Sequence, residues 1–190
     1  MSRRAWIWGG PVAVLVVAAL GFFYVTSTPR YALYSIGAAM QRHDVAAAEG
    51  YFDVERIADA AADVIVADYL ARQPAPTTAA ESNGRQLVAS IVKRRVRPQV
   101  ITRVRQEIRR SVERAGIHAT ALVLPIGAVA VLRAFEVSSA GPDVWVTYRD
   151  PAQGPVRFRM SRQAGRGWQI SEFDPEWVRR RVHEEPSRIR

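Results

Sequence analysis

Val144-Trp145-Val146-Thr147-Tyr148, Val156-Arg157-Phe158-Arg159-Met160-Ser161 and Gly167-Trp168-Gln169-Ile170-Ser171 alternate apolar and polar residues with a period of two. That period belongs to β-strands with one buried face. The intervening Asp150-Pro151-Ala152-Gln153-Gly154 and Gln163-Ala164-Gly165-Arg166-Gly167 are rich in turn formers, so the strands connect as an antiparallel meander of three strands or more. Val144, Val146, Tyr148, Val156, Phe158, Met160, Trp168 and Ile170 form its apolar face. Pro175 to His183 reads as a short terminal helix.

Upstream the period changes to that of helices. Tyr31 to Glu49 carries Leu33, Ile36, Ala39 and Met40 at helical spacing, with a polar break at Arg42-His43-Asp44. Asp53 is placed to cap a helix running to about Leu70, whose stripe is Val54, Ile57, Ala61, Val64, Ile65 and Asp68-Tyr69. Gln73 to Gly84 (QPAPTTAAESNG) reads as a flexible surface loop. Arg85 to Arg97 and Pro98 to Ala115 follow as two helices, or as one kinked at Pro98. The second places Val100, Ile101, Val104, Ile108 and Val112 on one face and arginines on the other. Ile117 to Phe135 is ambiguous between a short helix from Pro125 and a strand. Helices first and an antiparallel sheet second make an α+β fold. Residues 29–190 are read as one such domain.

Ala5 to Thr26 (AWIWGGPVAVLVVAALGFFYVT) contains no charge. As a helix it would reach about 33 Å, enough to cross a hydrocarbon core of about 30 Å. Trp6 and Trp8 lie near one end and Phe22, Phe23 and Tyr24 near the other, where aromatic belts form. Residues 1–28 are therefore read as a single-pass membrane anchor. Arg3 and Arg4 before it favour a cytoplasmic N-terminus and a domain outside the cytoplasmic membrane. The competing reading is a signal peptide cut after Val25 and Ser27, giving a secreted protein; the length of the run and its bulky aromatics favour the anchor.

The 190 residues carry a formal net charge of +9, and the excess is arginine, with Lys93 the single lysine. Such a chain attracts anionic partners. Arg94, Arg95, Arg97, Arg103, Arg105, Arg109, Arg110 and Arg114 define a candidate face. They would pair with the acids between Asp44 and Asp68, lie along anionic lipid headgroups, or contact another anionic polymer or an envelope protein. Nucleic acid is disfavoured, because no aromatics interleave with the arginines. Cysteine is absent, which excludes disulfides and thiolate metal sites.

No catalytic constellation emerges. His43, His118 and His183 lack metal-ligand spacing, and there is no Gly-x-Ser-x-Gly elbow or phosphate loop. Glu55, Asp59 and Asp63 share a helix side that reads as solvated surface; Asp68, nearer the apolar stripe, is the more interesting acid if buried. A non-enzymatic binding or accessory module without metal or cofactor is expected, its oligomeric state open.

The run Pro29-Arg30-Tyr31-Ala32-Leu33-Tyr34, with Ala38, Asp44, Ala47 and Tyr51-Phe52-Asp53, resembles a bacterial family of small membrane-anchored or exported proteins known as a domain of unknown function. The ending Gly167-Trp168-Gln169-Ile170 is similar to that family's last strand. The family more usually has Asp before the aromatic, whereas here Phe52 precedes Asp53. The resemblance implies an apolar N-terminus and a helical first half, and no activity. The sheet is also similar to cone-shaped folds of the nuclear-transport-factor-like kind, which implies a pocket.

The retained anchor has a direct check: the intact mass of protein extracted from membranes should include residues 1–27, and a mass lacking them would establish cleavage.

Overall fold

The structure, a computed structural model, describes residues 24, 26–115, 135–150, 154–165 and 167–184. Nearly all of the uncharged Ala5–Thr26 stretch, most of the ambiguous 117–135 segment and His118 lie outside them. Among the described residues no helix is long and apolar enough to cross a membrane. The order is α1 (Pro29–Gln41), α2 (Val45–Glu49), α3 (Val54–Ala71), α4 (Ala79–Ala115), β1 (Phe135–Ala140), β2 (Asp143–Asp150), β3 (Gly154–Gln163), β4 (Gly167–Phe173) and α5 (Pro175–Glu184). The fold is α+β, helices first.

The sheet is a four-stranded antiparallel meander, β1-β2-β3-β4. β1 was not expected as a strand: Glu136-Val137-Ser138-Ser139 has one apolar residue, too little to show a period, and its pairing with β2 from Phe135↔Tyr148 to Ala140↔Asp143 supplies the order instead. β3 meets β4 through a register shift between Arg159 and Met160. Arg159 pairs with Glu172 and Met160 with Ile170, so Ser171 is the extra residue of a bulge. The bulge lets Ile170 and Phe173, an odd number of residues apart, both join the apolar side. At the β3–β4 turn Gly165 and Gly167 have φ of 77° and 76°, backbone that side-chain-bearing residues rarely adopt.

The apolar face forms as expected. Val144, Val146, Phe158, Met160 and Ile170 are buried with Ala32, Leu33 and Ile36 of α1 and Ile57 of α3. That face is thus filled by helix side chains where the cone-fold likeness implied a pocket. A second cluster joins Ala39 and Ala48 to Ile108 and Val112 of α4, and Val104 packs against both.

The Tyr31–Glu49 stretch divides into two helices at the polar break read at Arg42-His43-Asp44. His43 takes a φ of 55°, which ends α1, and the Asp44 carboxylate accepts from the Ala47 N–H at 2.9 Å to start α2. Asp53 caps α3 through the Arg56 N–H as expected. The buried stripe of α3 is rotated from the one read in the sequence: Ile57, Ala58, Ala62 and Val66 are buried, and Tyr69 is exposed. Small alanines permit close approach, so they take the inner positions.

The loop expected over 73–84 is shorter, because α4 begins at Ala79. Glu81 accepts from the Thr77 and Thr78 N–H groups while Thr78 Oγ1 accepts from the Glu81 N–H, a capping box. From there one 37-residue helix continues through Pro98. Proline removes the bond to the carbonyl four residues back, at Arg94. Arg94 and Pro98 are both exposed, so water can satisfy that carbonyl.

Two substitutions test this arrangement in urea unfolding. Met160→Ala should cost about 2–5 kcal/mol through the cavity it leaves. Asp53→Ala should cost about 1 kcal/mol through the lost cap. A Met160→Ala protein as stable as the parent would show that α1 does not pack on the sheet as described.

Candidate anionic-partner interface

The acids of α3 decide which arginines of α4 remain available. α3 and α4 run antiparallel. Arg97 Nε donates to Asp59 at 2.5 Å and its Nη2 reaches Glu55. Lys93 meets Asp63 at 2.5 Å, and Arg85 donates to the Leu70 carbonyl near the far end of the hairpin. The Arg97 guanidinium holds the Asp59 carboxyl below the usual carboxylate range, chiefly through their hydrogen bond, and Asp59 in turn raises Arg97. Glu81 is also lowered, first by the Thr77 N–H it accepts from.

The eight arginines of the candidate face therefore divide. Arg97 belongs to the α3–α4 contact. Arg114 and Arg110 lie 2.8 Å and 3.9 Å from Glu107 on their own helix. Arg103 is exposed. Arg94, Arg95, Arg105 and Arg109 are exposed, and among the described residues they have no carboxylate partner. On a helix these four fall along one side, continuing a line begun by Leu87 and Ile91, which are 63% and 57% exposed. That line is a strip of cations with an apolar end.

Asp44, Asp53 and Asp68 are engaged locally. Asp44 and Asp53 cap helices. Asp68, expected to matter if buried, is partly buried; it pairs with Arg72 at 2.5 Å and lies 3.5 Å from His183.

The sequence did not reveal an open hollow of about 500 Å³ between α3, the sheet and α5, lined by Arg56, Asp59, Asp63, Arg159, Glu172 and Arg179. Each of its carboxylates already has a cation: Asp59 with Arg97, Asp63 with Lys93, and Glu172 with Arg159. Their strand partners and helix phases were legible, but nothing in the sequence brings β4 beside α3. Among the described residues no group of three His, Asp or Glu could hold a metal ion.

These features define a helix-over-meander α+β protein with a paired helical hairpin and an arginine strip. The chain belongs to the family described as "Protein of unknown function (DUF2939)", whose model matches residues 16–114, just over half of it. The match takes in α1 through α4, arginines included, and ends before the sheet. No curated protein and no solved structure matches the chain.

The Asp59–Arg97 pair and the Glu81 cap of α4 set an acid limit. Asp59 and Glu81 have folded values below their unfolded ones, so their stabilisation is complete above about pH 5 and is lost as pH falls below about 4. Thermal melts should show that decline, and Asp59→Asn should make it shallower while lowering the melting temperature slightly at pH 7. An unchanged acid limb in Asp59→Asn would mean that the pair with Arg97 does not persist in solution.

Proposed function

We propose that this protein is a single-pass, membrane-anchored binding module, with residues 1–28 as anchor and its domain on the outer side of the cytoplasmic membrane, and that Arg94, Arg95, Arg105 and Arg109 engage an anionic partner. The observation that carries this reading is the division of charge on α4: Glu55, Asp59 and Asp63 of α3 are taken by Lys93 and Arg97, while four exposed arginines keep no carboxylate partner among the described residues. A strip needed only for internal pairing would not leave these four over.

An acidic envelope protein or polymer suits the strip better than lipid. α3 runs alongside β4: Asp53 bonds to Ile170, Arg56 reaches Ser161, and Arg72 at the other end meets His183. The hairpin end at Leu70 and Arg85 is thus remote from Ser27, where the chain leaves the uncharged stretch. Arg94 and Arg95 lie on the half of α4 that projects that way. No catalytic role is assigned, since every carboxylate of the hollow already has a cation.

A reporter active only outside the cytoplasm, fused to the C-terminus, should be active. Charge reversal of the four arginines to Glu should abolish salt-dependent retention of the full chain on immobilised polyglutamate. An inactive reporter, or a reversed chain retained like the parent, contradicts the proposal.

A further inference from the structure

The point where the chain enters the folded domain is held by the sheet. The Trp168 indole N–H donates to the Ser27 carbonyl at 2.7 Å. Thr28 at once caps α1, its Oγ1 accepting from the Tyr31 N–H at 3.2 Å, and Pro29 fills the first helical position. Thr26, Ser27 and Thr28 thus lead directly into α1.

Trp168 is in register with Arg162, which brings the β3–β4 hairpin to the same end. Arg162, Ala164 and Gly165 are exposed there. In the first two turns of α1, Arg30 is exposed, and Tyr31 and Tyr34 are 36% and 48% exposed with ring centroids 6.4 Å apart. Among the described residues, neither Arg30 nor Arg162 has a carboxylate partner. Two partly exposed tyrosines share this end of the domain with two arginines that have no carboxylate partner among the described residues. They suit a boundary where ring bodies enter an apolar layer, hydroxyls stay wet, and guanidinium groups meet phosphate.

We propose that this end of the domain is a lipid-facing surface distinct from the α4 strip, in which Tyr31 and Tyr34 sit at headgroup level and Arg30 and Arg162 bind the phosphates of anionic lipids. The inference rests on the membrane-anchored reading and adds to it a fixed orientation: hairpin β3–β4 against the bilayer, the α3–α4 end away from it. Trp168 is the positioning residue, since it ties the sheet to the exit of the chain.

The chain has no cysteine, so single labels can be placed cleanly. The full chain is reconstituted into vesicles of phosphatidylcholine, with and without phosphatidylglycerol, after Ala164→Cys or Gln73→Cys labelling with a fluorophore. Headgroup-nitroxide lipid should quench the label at 164 and spare the label at 73. Phosphatidylglycerol should deepen quenching at 164, and Arg30→Ala with Arg162→Ala should remove that increment. Trp168→Phe, which keeps an aromatic ring and loses the indole N–H donor, should reduce the contrast between the two sites. Equal quenching at both sites in a chain that resists alkaline extraction overturns the lipid-facing surface while leaving the anchor standing. A chain that washes off the vesicles overturns the anchor and this surface with it.

Discussion

The segment that leads into α3 is joined to the sheet by two backbone hydrogen bonds. Ile170 N–H donates to the Tyr51 carbonyl and Asp53 N–H donates to the Ile170 carbonyl, each at 2.8 Å, so the segment before α3 lies on the edge of β4 as a short parallel bridge. Gln169, 2% exposed, adds its amide to the Gly50 carbonyl at 2.6 Å. An unpaired sheet edge would expose a row of donors and acceptors, and this bridge covers β4 over part of its length. It also fixes where α3 starts and which way it points. Because α4 returns along α3, the same bridge sets the course of the arginine helix. Asp53 serves twice, as cap of α3 and as acceptor from Gln163 at the end of β3.

Charge is arranged around this frame with little burial. The α3–α4 pairs are partly exposed, so each one contributes modestly; their main effect is to choose which cations remain. The polar side of the sheet follows the same logic. Arg159 reaches Glu172, and Arg157 lies 4.7 Å from the Trp145 ring centroid, a cation–π arrangement. Ser161 and Ser171 are buried among these groups with hydrogen bonds to Arg56 and to the Arg159 carbonyl. Glu55, Asp59 and Asp63 stand opposite Lys93 and Arg97, the cations of α4 that lie against α3. The remainder face outward, where water screens them or a partner neutralises them.

The strands β2, β3 and β4 and their inward residues were legible because alternation is a local signal, written in consecutive side chains. The bulge was not, since Gln169-Ile170-Ser171 reads as unbroken alternation and only the pairing with β3 reveals Ser171 as the extra residue. The start of α4 was written as Thr78-x-x-Glu81 but masked by the prolines and threonines before it. Proline 98 overstated its power to break a helix because its cost depends on exposure of the Arg94 carbonyl. The arginine face was visible as a set; its division into paired and unpaired members was not, because that depends on the antiparallel approach of α3. The family match covers residues 16–114, from α1 through nearly all of α4.

The direction of the hairpin can be measured by spin-label distance in the full chain, using Ala164→Cys at the β3–β4 turn and Gln73→Cys beyond the end of α3. Asp53 contacts Gln163 at one end of this 18-residue helix, so a separation of about 27 Å or more is expected from its rise. A narrow distribution at that length would establish that the α3–α4 end stands away from the entry of the chain. A separation well short of one α3 length would mean that the hairpin folds back over the β3–β4 turn, and both the orientation and the choice of partner for the arginines would then be wrong.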